Sequence, residues 1–276
     1  MTANQTDAAA TSDPKLIAER FTTARAQGRA LDRYPGEVPA NLEAAYRIQS
    51  AAIGRWQDPI RGWKVARVPP AFAKQYPDER LIGPAFARNV HWARDGEAVQ
   101  CPVFEGGFAA VESEIVIVVA HDTPSGDFEW HENNVLEFIR SMHIGVEVAS
   151  SPLATLNDLG PGAVISDFGN NWGVVVGAEI PNWQNIESID VETFIDGASV
   201  GRGKAIKRTG PLAALAFTMN KRADQGETLR AGDVISTGMI TGVHDVKIGQ
   251  ESRHVFAGSG EVRVRITRAV SIEAGA

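Results

Sequence analysis

The sequence predicts an α+β protein in which a helical N-terminal region leads into a β-rich domain. Three observations predict it. Apolar residues recur at helical spacing between Pro14 and Trp56, β-branched runs dominate after about Val99, and these runs do not alternate with helices as a doubly wound parallel sheet would require. Of 276 residues, 43% are hydrophobic and 22% charged, the balance of a globular chain long enough to bury a sizeable core.

The first 14 residues, rich in Ala, Thr and Asp, read as a flexible leader. They lack the basic start and apolar run of a signal peptide. The helical region is placed at 15–98. In PKLIAERFTTARAQ, residues Leu16, Ile17, Phe21 and Ala24 fall at helical spacing. In NLEAAYRIQSAAIGRW, Asn41 is suited to cap a helix whose one side carries Leu42, Ala45, Ile48, Ala52 and Trp56. RYPGEVPA, between the two, is a loop punctuated by Pro and Gly.

The β-rich domain is placed at 99–270. Its predicted strands are VESEIVIVV, GVVVGAEI, SIDVETFID, DVISTGMITG and GEVRVRITRAV, each bounded by Gly, Pro, Asn or Asp. Two helices are predicted among them, over Asn133–Met142 and over Pro211–Arg222, with Pro211 in the first turn of the second.

Lys and Arg number 27 against 34 Asp and Glu, giving a net charge of −7. That balance argues against nucleic acid or an anionic membrane as the main partner, but leaves a small anionic substrate open if a local cation reverses the field. A lone Cys101 forms neither an internal disulfide nor a thiolate cage, and the chain reads as cytoplasmic. No run reaches the ~18 apolar residues of a membrane helix.

The most informative strand is Val111–Val119. Alternation puts Glu112, Glu114, Val116 and Val118 on one face, with the two glutamates about 6.6 Å apart at a rise of ~3.3 Å per residue. Unpaired carboxylates on an apolar face are costly. A basic partner, a raised pKa or a bound cation would each resolve the cost, as would an edge strand with that face in water. Glu147, in HIGVEVASS, is a further acid in apolar surroundings. Three converging carboxylates would make an all-oxygen site suited to Mg²⁺ or Mn²⁺.

VESEIVIVV, GVEVASS about thirty residues on, SDFGNNWGVVVG, GRG and LRAGDVISTG, in that order, resemble the fumarylacetoacetate hydrolase superfamily. Within it they are similar to the hydratase and decarboxylase branch of the meta-cleavage pathways. The similarity runs from about Leu42 to about Ile266. It implies a mixed β-sheet roll with a helical N-terminal part, and a Mg²⁺ or Mn²⁺ ion held by Glu112, Glu114 and Glu147. It implies that Lys64, in RGWKVAR, transfers a proton or stabilises enolate charge. Ser151 would hydrogen-bond a substrate carboxylate or cap a turn, and Asp167 would hold a metal-bound water. Thr237 and Gly238, in GDVISTG, would bind a carboxylate.

Four positions depart from the family pattern: Ala66 for a glycine, Arg88 for an aspartate, Pro152 for an arginine and Phe168 for an asparagine. The metal ligands are intact while the polar shell around them is altered. No histidine pair has metal-ligand spacing, and His143 reads as a structural histidine. The resemblance implies a metal-dependent hydratase, a lyase that adds water to a short 2-hydroxy-dienoate to give a 4-hydroxy-2-oxo acid. Its alternatives are decarboxylation of a 2-oxo-3-enedioate, carbon–carbon hydrolysis of an acylpyruvate, and a non-catalytic subunit partnering an active homologue. It also implies a homo-oligomer acting on a small anionic 2-oxo acid.

Overall fold

Side-chain caps start both N-terminal helices. Asp13 accepts from the Lys15 amide ahead of α1 (Pro14–Ala26), and Asn41 accepts from the Ala44 amide ahead of α2 (Leu42–Arg55). Each such cap stabilises its helix by about 1 kcal/mol. The two helices bury Ile17, Phe21, Ile48 and Ala52 in a cluster that also holds Leu153, Leu156 and Phe168. The computed structural model describes residues 11–94, 96–126 and 128–272. Residues 1–10 of the expected leader lie outside them.

The remaining elements are β1 (Ile60–Arg67), β2 (Arg80–Phe86), β3 (Val90–Trp92), β4 (Ala98–Val103), β5 (Phe108–Val119), β6 (Ile139–Ser151), α3 (Pro161–Ser166), β7 (Asn171–Glu179), β8 (Ser188–Ile195), β9 (Ala198–Ile206), α4 (Ala213–Asp224), β10 (Val234–Ser236), β11 (His244–Asp245), β12 (Glu251–Phe256) and β13 (Gly260–Arg268). A large mixed sheet runs β2-β1-β10-β5-β6-β7-β3, with β11 added beside β5. A smaller sheet runs β4-β13-β12-β8-β9. This is the α+β mixed-sheet architecture expected. Among the described residues no helix is long and apolar enough to cross a membrane.

Strands β5 and β6 are buried on both faces along nearly their whole length, so their apolar residues read as unbroken runs. The smaller sheet alternates buried and exposed positions instead, as in β8 and β13. Its inward Val191, Phe256, Val262, Val264 and Ile266 join Ile115, Ile117, Ile144 and Val175 in the main core. β1 and β10 lie so close that a Cβ on Gly62 would stand 1.9 Å from the Val234 carbonyl oxygen, and only glycine fits there.

Four expectations need correction. The helix expected over Asn133–Met142 is a single 3₁₀ turn, Leu136–Phe138, after which β6 begins at Ile139. Cross-strand pairing decides this, since Ser141 and Met142 sit opposite Val118 and Ile117 of β5. Only 14–26 and 42–55 of the region read as helical form α-helices. Its later part supplies β1, β2 and β3 to the large sheet, so the compositional change near Val99 marks no boundary between layers. The strand expected over DVISTGMITG stops at Ser236, where the chain turns at Gly238 with φ of 107°. The helix expected over Pro211–Arg222 is present as α4, but Pro211 belongs to a π-helical turn, Arg208–Leu212, just before it.

Candidate metal centre

Antiparallel register sets Glu112 of β5 directly opposite Glu147 of β6, with Glu114 two residues along on the same face. β5 lies in the middle of the sheet, between β10 and β6, so the edge-strand reading does not hold. One carboxylate oxygen from each glutamate lies within 4.8 Å of the other two. All three side chains are buried. On the far side of β10, Lys64 of β1 pairs with Ser236 and sends its Nζ to 3.1 Å from Glu147 Oε1.

Glu114 is held by two donors at one oxygen. The Ser236 hydroxyl donates to Oε2 at 2.5 Å and the Gly238 amide at 2.8 Å. Glu114 Oε1 and Glu147 Oε2 make no hydrogen bond, and Glu147 Oε1 meets only the Lys64 ammonium. Unpartnered buried carboxylate oxygens are rare in folded proteins because each forfeits its hydration.

The electrostatics follow from burial. Desolvation and then the neighbouring Glu112 push the Glu114 carboxyl up to about 7, against the opposing pull of Ser236, Gly238 and Lys64. Desolvation raises Glu147 well above the usual range although Lys64 pulls the other way, and it raises Glu112 as well. Burial alone would lower the Lys64 pKa, but Glu147, Glu112 and Glu114 more than offset it and the net shift is upward. With the carboxylates ionised, three negative charges face one ammonium, an excess of two that a single divalent cation would neutralise. An all-oxygen cradle with free lone pairs suits Mg²⁺ or Mn²⁺. The residues therefore fit the ion.

The site opens into a cleft of about 430 Å³ lined by Lys64, Glu112, Ile115, Asn170, Thr237 and Gly238, among others. Thr237 spends its hydroxyl on the Ile115 carbonyl at 2.7 Å, which leaves its oxygen lone pairs as acceptors. Gly238 lends its amide to Glu114 rather than leaving it for a substrate carboxylate.

Two sequence-assigned residues stand elsewhere. The Asp167 carboxylate is clamped by Arg25 through Nε at 2.5 Å and Nη2 at 2.9 Å, and it does not line the cleft. It anchors a turn in which Phe168, Gly169 and Asn170 all have positive φ, and that turn delivers Asn170 to the cleft with its Oδ1 unpartnered. Ser151 accepts from the Leu153 amide at 3.0 Å, which is the turn-capping role, and is also absent from the cleft lining. Arg88 bonds the Asp58 carboxylate through its amide and lines a different hollow. His143 is bonded to Ser141 and the Gly177 carbonyl, as a structural histidine.

Sequence reasoning missed Ser236, Asn170, Arg25 and Arg80. Ser236 stood beside Thr237 inside a quoted motif, and its position two residues from Val234 on a strand was the available signal. Asn170 lay in the quoted SDFGNNWGVVVG segment, close to the family asparagine replaced by Phe168, and nothing local marks Arg25 or Arg80.

Residues 60–275 match the family described as "Fumarylacetoacetate (FAA) hydrolase C-terminal". Among solved structures, 4-oxalocrotonate decarboxylase from Pseudomonas putida G7, complexed with magnesium and adipate, superimposes with a TM-score of 0.76 at 22% identity, covering 92% of this chain and 97% of that one. Fumarylpyruvate hydrolase from Pseudomonas aeruginosa, in complex with Mn²⁺ and pyruvate, gives a TM-score of 0.56 at 18% identity over 77% and 91% of the two chains. The 2-hydroxyhepta-2,4-diene-1,7-dioate isomerase from Mycobacterium marinum gives 0.54 at 18% identity over 76% and 77%. At these identities the likeness is one of fold.

Proposed function

The chain belongs to the fumarylacetoacetate hydrolase family, and from that premise we propose that it is a divalent-metal-dependent lyase acting on a short 2-oxo acid. The observation that carries the proposal is the buried excess of negative charge beneath an open cleft, formed by Glu112, Glu114 and Glu147 against Lys64. Glu112, Glu114 and Glu147 would hold a divalent cation, Mg²⁺ or Mn²⁺, which would supply Lewis acidity for stabilising negative charge on a 2-oxo acid.

The protein's own groups do the rest. Ser236 and Gly238 fix one oxygen of Glu114, so that the other is aimed without further adjustment. Lys64 places an ammonium in the water-poor floor of the cleft, where it stabilises charge growing on the 2-oxo oxygen or passes a proton to the substrate carbon chain. The reaction is hydration: a 2-hydroxypenta-2,4-dienoate takes up one water across its far double bond and becomes a 4-hydroxy-2-oxopentanoate. One observation favours decarboxylation of a 2-oxo-3-enedioate as a second reading. Among the described residues, the ionisable groups lining the cleft are Lys64, Arg67, Arg80, Glu112 and Lys204, with no uncommitted carboxylate or imidazole ready to activate water.

Purified chain with Mg²⁺, offered both substrates, tests the reading. Metal-dependent formation of the 4-hydroxy-2-oxo acid supports hydration, and release of CO₂ supports decarboxylation. No metal-dependent conversion of either refutes the proposal. Glu114→Gln is expected to abolish Mn²⁺ binding in calorimetry, and unchanged affinity would place the ion elsewhere.

A further inference from the structure

β1 and β2 are paired so that Arg67 stands directly opposite Arg80, and both line the cleft. Their guanidiniums converge on one acceptor, the Thr209 carbonyl, at 3.4 Å from Arg67 Nη2 and 3.1 Å from Arg80 Nη2. Neither has a carboxylate within ion-pairing distance among the described residues. Arg80 is only 6% exposed, yet its side chain makes that single hydrogen bond from five available donors. Like charges opposed on neighbouring strands repel, and burial adds desolvation. Both effects push the Arg80 pKa down, burial first and Arg67 second. The other cations at the cleft are already paired, Lys204 with Asp190 at 2.7 Å and Lys64 with Glu147 at 3.1 Å.

The arginine pair lies within reach of the glutamates. Arg80 Nη1 is 3.9 Å from the position a Cβ would take on Gly238, whose amide is 2.8 Å from Glu114 Oε2. With about 2.5 Å between an amide nitrogen and its Cβ, Nη1 is at most about 9 Å from that carboxylate oxygen. A six-carbon dicarboxylic acid spans about 6 Å between its carboxyl carbons. One end can therefore sit over the glutamates while the other reaches Arg80.

We propose that Arg80, assisted by Arg67, forms a second anion subsite of this cleft, one that takes the distal carboxylate of a dicarboxylic 2-oxo acid. The planar guanidinium presents paired donors to a carboxylate, and the shortage of other partners leaves them available. This rests on the 2-oxo acid reading above and, within it, favours the dicarboxylic substrate of the decarboxylation reading over the monocarboxylic substrate of hydration.

Calorimetric titration of the Mn²⁺-loaded full chain with 2-oxohexanedioate and with 2-oxohexanoate, equal in length and differing in the distal carboxylate, tests it. The dioate is expected to bind about tenfold tighter or more. Arg80→Met should erase that preference while leaving the monoacid affinity within about twofold. Arg67→Gln, at an exposed position whose replacement spares the fold, should reduce the preference in part. Equal wild-type affinities for the two ligands, or a preference unchanged in both variants, would overturn the subsite while leaving the 2-oxo acid reading standing. Failure of both ligands to bind the wild type would overturn the two together.

Discussion

His254 gives the sharpest test of the buried polar network behind the candidate metal centre. Its ring is fully buried, with Nδ1 2.7 Å from Ser113 Oγ and Nε2 2.9 Å from Ser252 Oγ. Ser113 lies between Glu112 and Glu114 and faces the opposite way, and it also meets Thr193, which in turn meets Thr241. Burial first, and His244 second, push the His254 pKa from 6.5 down to about 3. The folded protein thus keeps this ring neutral, whereas the unfolded chain protonates it near 6.5. Above that pH the two states bind the same number of protons here and stability is unaffected. As pH falls from 6.5 toward 3, the unfolded state takes up a proton that the folded state refuses, so stability is lost. At pH 5, which is 1.5 pH units below the unfolded value, the loss is about 2 kcal/mol at 1.36 kcal/mol per unit. For a chain of this size that is about 4–8 °C in Tm. His254→Gln retains a donor and an acceptor but does not titrate. Thermal and urea melts at pH 7 and pH 5 should show the wild type losing about 2 kcal/mol more than the variant over that interval. Parallel losses, equal within about 0.5 kcal/mol, would refute the reasoning.

Two further outcomes are expected. Lys64→Arg keeps the positive charge but cannot release a proton, so kcat should fall by about a hundredfold or more while Mn²⁺ affinity stays within a few-fold; near-wild-type turnover would exclude proton transfer by Lys64. Asp167→Asn strips the buried Arg25 guanidinium of its counter-charge and should cost about 3–5 kcal/mol in urea melts, with one Mn²⁺ still bound per chain. A loss below about 1 kcal/mol would show that the clamp has no structural weight.

What the sequence by itself determined is what depends on short-range geometry. The period of two in VESEIVIVV put Glu112 and Glu114 on one face, Asn41 announced α2, and the β-branched runs after Val99 announced a β-rich domain. Those features arise from residues within a few positions of one another. The apolar setting of Glu147 marked it as a candidate third carboxylate, and resemblance joined it to the pair and added Lys64. Tertiary structure alone decided the rest. The segment NNVLEFIRSM carries apolar residues that suit a helix, but pairing with β5 draws its second half into β6. Asp167 reads as a free acid along the chain, and becomes a clamp only because Arg25, 142 residues away, folds against it. Arg80 is one more charged residue until β2 is laid beside β1, opposite Arg67 and open to the cleft. A side chain's charge is written in the sequence, but whether that charge is neutralised, solvated or left waiting for a ligand depends on partners that only long-range strand pairing brings near.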